Sequence, residues 1–358
     1  MTRLVLVVPG LIWPAPQAFH PAKDVVHAAL ARLLGRGRQC MDPAISYVRL
    51  LAQRLGRAHS DRPVPLAALR RLGEESRDEH ADEHAQDDAQ ALWLCADPVS
   101  LSFMNKRVLL DEFGEGMGEI DAAEAAALIA MLNDEFADLG HFSAATPTRW
   151  YLRMKRPAKV HFFPLDEVVC RPVQDFLPTS GEGEAANGRL WQRTLNDMQV
   201  ALHNHPVNTA REAAGRRPIN SLWFWGNETQ STPGAPDAPC LAVQALDPMA
   251  RGLARAAGIE PDTPDVVSAL RADTLVMLDT LAFSIRHLDL ARWQEAFAAL
   301  EQDWFAPIAQ ALDSGALHHF TLYAPGERAC FSLTVGRWAR WCFWRKPLSL
   351  CAVQSPLA

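Results

Sequence analysis

The sequence contains no apolar run long enough to cross a membrane and no excess of positive charge. A membrane-spanning helix needs about 20 mostly apolar residues, and no stretch of this chain approaches that length. The net charge of −7 argues against a surface built to bind nucleic acid. Seven scattered cysteines include no C-x-x-C pair, which is typical of reduced thiols. We therefore expect a cytoplasmic protein without a membrane span and without a nucleic-acid partner.

The chain also lacks the common motifs of nucleophilic and phosphate-binding sites. It has no G-x-S-x-G elbow, no G-x-G-x-x-G and no Walker loop. The glycines of Gly114–Gly118 follow a predicted strand, but the surrounding glutamates would repel a phosphate, so we interpret them as a turn. His80–His84 has the H-x-x-E-H spacing of a zinc site, but its acidic surroundings offer no apolar side chains for a pocket. A chance match is the preferred interpretation.

Length and hydrophobic periodicity predict an α/β core interrupted by a second domain. The 358 residues, 49% of them apolar, suffice for two domains. Apolar strands alternate with helices at both ends of the chain, a pattern typical of a mainly parallel sheet covered by helices on both faces. We predict a first part of the core at 1–90, ending in an acidic flexible loop, an inserted α+β domain at 91–186, and the second part of the core at 187–358. The strands Leu4–Val8 and Leu222–Trp225 are expected to share the core sheet.

Polar and aromatic residues concentrate at 203–226, where a helix and then a strand are predicted to begin. Asn208 and Arg211 are three residues apart and so share a helix face. An arginine near a helix N-terminus suits a phosphate or carboxylate. The alternative is that these residues tie the helix to the next strand through buried hydrogen bonds, and we favour this structural role. The ligand-binding candidates are Asn208, Arg211, Asn220, Trp223 and Trp225.

Aromatic and cationic residues alternate in the C-terminal segment 337–346, RWARWCFWRK. Such a segment could stack on nucleic-acid bases or lie at a membrane surface. The acidic charge of the whole chain favours a closing strand, in which the tryptophans pack and the arginine stems cover them.

Several segments resemble the archaeal-type cofactor-independent phosphoglycerate mutases, which belong to the alkaline phosphatase superfamily. The resemblance rests on H-P-x-N-x-x-R at His205–Arg211 and on P-x-N followed by W-x-W-G at Pro218–Gly226. Within that group the chain looks most like the RpfE-type regulatory proteins, through W-L-x-A-D-P at Trp93–Pro98, R-W-Y-L at Arg149–Leu152 and F-W-R-x-P at Phe343–Pro347. The resemblance implies an alkaline-phosphatase-like α/β fold with an inserted domain.

The chain departs from the mutases where the resemblance would require catalytic groups. Their metal-binding Asp-Gly after the first strand is replaced here by Pro9-Gly10, and their nucleophilic serine has no counterpart before the acidic stretch. Their late Asp and His clusters shrink to Asp279, His287 and Asp289, which are weak candidates for one divalent ion, Mn or Zn. Because two-metal phosphoryl transfer needs both ions, we expect no cofactor and no catalytic residues.

Our hypothesis is a catalytically degenerate phosphoglycerate-mutase-like protein with a regulatory or ligand-binding role. It would sense a small phosphorylated or carboxylate metabolite, or bind a regulatory protein partner. One alternative is an enzyme, a metal-dependent phosphoglycerate mutase or phosphatase with a remodelled site. A second alternative is a nucleic-acid or membrane binder that acts through the C-terminal Arg/Trp segment.

Overall fold

The computed structural model describes residues 2–14, 20–56, 64–74, 91–104, 106–114, 120–179, 185–227, 242–342 and 344–353. In chain order the strands are β1 (Arg3–Val7), β2 (Arg38–Pro43), β3 (Leu92–Met104), β4 (Arg107–Glu112), β5 (Gly140–Thr146), β6 (Arg149–Met154), β7 (Ser221–Trp225), β8 (Ala242–Gln244), β9 (Thr274–Met277), β10 (His319–Ala324) and β11 (Ala329–Gly336).

The helices begin with α1 (Ala28–Arg36), α2 (Tyr47–Arg54), α3 (Leu66–Glu74), α4 (Ala122–Glu135), α5 (Leu165–Val168) and α6 (Ala185–Asn204). They continue with α7 (Pro206–Ala213), α8 (Pro248–Ala256), α9 (Val266–Ala269), α10 (Ala282–Arg286), α11 (Leu290–Leu300) and α12 (Ala306–Ser314). Within the described ranges, no helix has the length and hydropathy needed to cross a membrane.

The chain divides into two compact units, the second of which is inserted into the first. The first unit consists of residues 1–62 and 232–358, and the second of residues 63–231. The insertion is therefore longer at both ends than the predicted 91–186. The segment 187–231, which we assigned to the core, belongs to the second unit because its strand and helices pack there. The predicted acidic loop lies mostly outside the described residues, apart from Gly73 and Glu74 in α3.

The first unit is built on a six-stranded, mainly parallel sheet in the order β2-β11-β10-β1-β9-β8. β1 runs parallel to both of its neighbours, and β8 runs parallel to β9, whereas β11 and β2 are antiparallel additions at one edge. In β1, Leu4, Leu6 and Val7 are all buried, as expected for a strand inside a helix-covered sheet. The predicted α/β class, with a central sheet and helices, is confirmed.

The turn after β1 is packed tightly against the start of α10. Gly10 has a φ of +83°, and a side chain there would meet the Leu281 carbonyl oxygen at 2.8 Å, so both backbone conformation and space favour glycine. The carbonyl of Gly10 accepts a 2.9 Å hydrogen bond from the indole Nε1 of Trp293 on α11. The Pro9-Gly10 sequence thus carries a packing function at this position.

The helical segment 290–314 is interrupted. A π-helical turn, Glu301–Phe305, separates α11 from α12. Pro307 provides the reason, because it has no N–H for the regular helical ladder and its ring crowds the preceding turn. The buried carboxylate of Glu301 accepts hydrogen bonds from the Ala29 N (2.5 Å) and Leu30 N (3.1 Å) atoms at the start of α1.

The second unit contains an antiparallel sheet in the order β4-β3-β6-β5, with β7 also paired to β3. The expectation that β7 would share a sheet with β1 is therefore wrong. The cause is packing, since Leu222 and Phe224 of β7 are buried in one cluster with Leu94, Trp150 and other residues of the second unit. No feature of an apolar strand sequence identifies its neighbour in the sheet.

Helix α3, which we had placed in the first part of the core, also belongs to the second unit. The Ala67 N–H donates to the Gly226 carbonyl at the end of β7 (3.3 Å). Gly226 has a φ of +83°, and a side chain there would lie 2.8 Å from Ala67 N. The W-x-W-G end of β7 is thus shaped to receive the first turn of α3.

We expect the stability of the first unit to depend on the protonation of His20. Its Nδ1 accepts a hydrogen bond from Ala22 N, and its buried Nε2 has no partner in the described part of the chain. Burial, with a smaller contribution from His27, lowers the pKa of His20 to about 4. The unfolded value is about 6.5, so this contribution to stability is complete above pH 6.5 and is lost as the pH falls from about 6.5 towards 4.

Urea unfolding over this pH range measures the effect, with His20→Gln as the test variant and the exposed His141→Gln as its control. We expect His20→Gln to reduce the loss of stability on acidification and His141→Gln to leave it unchanged. Identical pH profiles for both variants and the natural chain would contradict this assignment.

Candidate functional site

The helix of the central motif begins at a histidine and a proline. His205 caps α7 by accepting a 3.2 Å hydrogen bond at Nδ1 from Val207 N. Pro206 occupies the first helical position, where a missing N–H costs nothing. This local chemistry explains why α6 ends at Asn204 and a new helix begins two residues later.

Asn208 is fully buried and uses its whole amide to hold the motif together. Its Nδ2 donates to the carbonyl oxygens of Leu202 (2.7 Å) and Ile219 (2.8 Å), and its Oδ1 accepts from Ile219 N (2.7 Å). The side chain therefore joins the end of α6 to the segment that leads into β7. These contacts support the structural role that we favoured for Asn208.

Asn220 makes a similar connection from the start of β7 to β3. Its Oδ1 accepts from Leu101 N (2.7 Å), and its Nδ2 donates to Leu101 O (2.9 Å). The side-chain amide thus pairs with a backbone unit as a neighbouring strand would. This contact extends the β3–β7 pairing, which itself ends at Val99 and Ser221.

Arg211 is buried and already bonded to protein groups. Its Nη1 donates to the Glu124 carboxylate (2.6 Å), and its Nε donates to Arg217 O (2.8 Å). Burial lowers the pKa of Arg211 from its ordinary value, and the Glu124 charge opposes that shift. Glu124 also bonds to Arg216 (2.8 Å) and completes the capping box at Asp121 that opens α4.

A third arginine lies beside this pair. Arg217 forms an ion pair with Asp111 on β4. The Phe113 ring lies close to two of the arginines, with its centroid 5.4 Å from the Arg211 guanidinium and 5.0 Å from that of Arg217. We call this set the arginine cluster, and its members are Arg211, Arg216, Arg217, Glu124 and Asp111. Sequence reasoning missed Arg216 and Arg217, although their position directly after α7 was a usable signal.

The two candidate tryptophans make contacts of their own. The Trp223 indole donates to Phe163 O (2.8 Å), and its ring packs with Val99, Leu110 and Val168. The Trp225 indole donates to the Asp97 carboxylate (2.8 Å). The five candidate residues therefore take part in several separate contacts of the second unit, and their role towards a ligand stays a prediction.

A buried ion pair joins α3 to β3 and was not predicted. Arg70 bonds to both carboxylate oxygens of Asp97, at 2.7 and 2.8 Å, and its Nε donates to the Tyr151 hydroxyl (2.8 Å). Asp97 also accepts from Trp150 N (3.2 Å) and from the Trp225 indole. Burial is the largest single influence and lowers the pKa of Arg70, but Asp97, together with Cys95 and Tyr151, more than offsets it, so the pKa lies well above its ordinary value. An aspartate among apolar strand residues was the available signal.

The weak metal candidates do not come together as a metal site. Asp289 caps α11 by accepting from Arg292 N (3.1 Å), while the His287 Nδ1 bonds to Phe283 O (3.0 Å) and its ring stacks on Phe283. In the described part of the chain, no group of three or more His, Cys, Asp or Glu residues could hold a metal ion. Asp279, His287 and Asp289 are therefore not grouped as a set of three ligands, and their role towards a metal stays a prediction. His80–His84 and 115–119 lie outside the described residues.

The C-terminal segment is not the closing strand that we predicted. Gly336, the last residue of β11, pairs with His319, the first residue of β10. Strand β10 therefore offers no further residue to pair with those that follow Gly336. Arg337–Trp341 instead forms a 3₁₀ helix.

Similarity to one solved structure, the first of the two that follow, agrees with the α/β fold. The PH0037 protein of Pyrococcus horikoshii matches with a TM-score of 0.51 at 12% identity, covering 94% of this chain and 87% of that chain. The cofactor-independent phosphoglycerate mutase of Thermoplasma acidophilum matches with a TM-score of 0.45 at 15% identity, covering 93% and 89%. No family model matches the sequence.

Over part of its length the chain is similar in sequence to phosphoglycerate mutases. It is 33% identical over 111 residues to the 2,3-bisphosphoglycerate-independent phosphoglycerate mutase 2 of Methanothermobacter thermautotrophicus, covering 30% of this chain. It is 29% identical over 115 residues to the corresponding mutase of Methanosarcina barkeri. The chain spans about a quarter of the length of these curated relatives, 27% in each case.

We expect Asn208→Ala to destabilise the protein by roughly 1–3 kcal/mol, because it leaves the buried Ile219 N–H and two carbonyls without their partner. Urea or thermal unfolding measures the change. Asn204→Ala is the matched control, since Asn204 is exposed at the end of α6. Equal stability of the two variants would show that the Asn208 contacts contribute little.

We expect Asp97→Asn to cost about 3–5 kcal/mol, because it leaves the buried Arg70 charge without its counterion. Replacing both partners, as in Arg70→Met with Asp97→Asn, should restore part of the loss, since the uncompensated charge is then gone. A double-mutant cycle of unfolding free energies tests this coupling, and strict additivity of the two losses would contradict it.

Proposed function

We propose that the chain is a phosphoglycerate-mutase-like protein of the RpfE regulatory type that binds a small phosphorylated or carboxylate metabolite without converting it. Its similarity to phosphoglycerate mutases supports the class of ligand. The contacts of His287 and Asp289 support the loss of metal-dependent chemistry, because both side chains bond at helix ends. We further propose that the protein is cytoplasmic and that it also binds a regulatory protein partner.

The arginine cluster carries this proposal. Its three guanidinium groups meet two carboxylates, so the cluster retains an excess of one positive charge. The side chains of Arg216 and Arg217 are 37% and 29% exposed, whereas that of Arg211 is fully buried. A phosphate or carboxylate can therefore approach Arg216 and Arg217 from solvent, and planar guanidinium groups bind such anions in a bidentate manner.

The predicted ligand residues then divide into two roles. Arg211 holds Glu124, and Glu124 in turn orients Arg216, so Arg211 acts as a positioning residue. Asn208 and Asn220 fix the segment that carries the arginines, and Trp223 and Trp225 anchor the strand that follows it. In this proposal, Arg216 and Arg217 are the residues that contact the anion.

Thermal unfolding with and without 3-phosphoglycerate, at low ionic strength, tests the proposal. A ligand at 100 times its Kd stabilises the native state by about 2.7 kcal/mol, and we expect a corresponding rise in Tm. Arg216→Gln with Arg217→Gln should abolish that rise, and Arg211→Lys should weaken it, because an ammonium group cannot reproduce the two directed bonds. Arg193→Gln, an exposed arginine of α6, is the charge-matched control.

An unchanged Tm with 3-phosphoglycerate, inorganic phosphate and simple carboxylates would contradict ligand binding at this cluster. A shift that survives the double variant would place the ligand elsewhere.

The similarity to the mutases also favours a second candidate, a metal-dependent phosphoglycerate mutase or phosphatase with a remodelled site. It predicts stoichiometric Mn or Zn in the purified protein and turnover of phosphoglycerate. Asp289→Asn is the sharpest variant, because asparagine retains a helix cap while it weakens a metal ligand. Metal-dependent turnover that this variant abolishes without a loss of Tm would establish the enzyme and overturn the preferred proposal.

A further inference from the structure

Three exposed tryptophans lie close together in sequence after β11. The exposed fractions of Trp338, Trp341 and Trp344 are 66%, 57% and 67%. The other eight tryptophans of the chain are buried or partly buried. Tryptophan side chains are usually well buried, and an exposed cluster of large apolar groups marks an interaction site more often than a chance arrangement. We call these three residues the tryptophan surface.

The fold holds this surface in place on both sides. The preceding 3₁₀ helix has three residues per turn, so Trp338 and Trp341 lie on the same side of it. After the tryptophans the chain approaches α1 closely, since a side chain at Gly35 would clash with the Lys346 carbonyl. Leu348 N then bonds to Ala31 O (2.9 Å), and Leu350 is buried in the core of the first unit. The exposed indoles are thus carried by an anchored segment.

Charge distinguishes this segment from the rest of the chain. From Arg328 to Ala358 the sequence contains five arginines and lysines and no aspartate or glutamate, although the whole chain has a net charge of −7. Arg345 and Lys346 directly follow Trp344. Indoles next to cations match the interface of an anionic bilayer, where the ring lies among the headgroups and the cations meet the lipid phosphates.

We propose that the tryptophan surface docks the protein onto an anionic lipid bilayer as a peripheral contact. The arrangement of Arg337 favours lipid over single-stranded nucleic acid. Its guanidinium lies 4.8 Å from the centroid of the Trp338 ring and covers one of the two faces on which a base could stack. A cation over an indole is compatible with the headgroup layer, where both groups remain partly hydrated.

Co-sedimentation of the full chain with vesicles tests the proposal. We expect binding to vesicles that contain phosphatidylglycerol, and roughly tenfold weaker binding to pure phosphatidylcholine or at high salt. Two variants should each abolish binding without a change in Tm: Trp338→Ser with Trp341→Ser and Trp344→Ser, and Arg337→Gln with Arg345→Gln and Lys346→Gln. Phe103→Ser is the matched control, because Phe103 is 77% exposed but belongs to the second unit.

The proposal would be overturned if the triple tryptophan variant and the triple cation variant both still bound the vesicles. Loss of binding in Phe103→Ser would overturn it as well. Tight binding of a single-stranded oligonucleotide that requires the three tryptophans would assign the surface to nucleic acid instead. A concentration-dependent dimer that requires them would assign it to a second copy of the chain. None of these outcomes depends on metabolite binding at the arginine cluster, so the two proposals fail or succeed separately.

Discussion

The buried contact between Arg70 and Asp97 is the interaction on which the second unit depends. It joins a helix to the strand that pairs with three neighbours, and the same carboxylate receives the Trp225 indole and the Trp150 backbone. A buried charge pair stabilises little by itself, because both groups lose their hydration. Its contribution is geometric, since each partner can be satisfied only when α3, β3, β6 and β7 are correctly placed. The motif around Asn208 is held at the opposite end of β7 by neutral amide hydrogen bonds.

This arrangement separates the residues that shape the motif from those that face solvent. Asn208, Asn220 and Arg211 are engaged in internal contacts, whereas Arg216 and Arg217 pair with Glu124 and Asp111 but keep part of their side chains exposed. These contacts give the chain a reason to retain the motif for stability alone. Around this scaffold, Arg216 and Arg217 are the partly exposed cations, with side chains 37% and 29% exposed.

Sequence patterns predicted the α/β class because β1 is a short apolar run between helical segments and the chain ends repeat that alternation. They could not predict which sheet receives β7, because Leu222–Trp225 is apolar on both faces and would suit either. The roles of Asn208 and Arg211 were left open for a similar reason, since a buried amide and a ligand-binding amide have the same sequence signature. We expected Trp338 to be buried because tryptophan usually is. It is exposed because β10 offers no further residue to pair with β11 beyond Gly336, so the strand ends before Trp338.

The insertion of one unit into the other has a consequence for synthesis on the ribosome. Arg3 of β1 pairs with His319 of β10, and Leu4 pairs with Thr274 of β9, so β1 is made well before both of its neighbours. Residues 63–231 form a continuous stretch and contain every strand of their own sheet. The inserted unit can therefore complete its sheet while β1 still has no partner. Long-range pairing of this kind slows folding and leaves strand edges exposed in the nascent chain. The apolar N-terminal strand is consequently the part of this protein that is most in need of protection during translation.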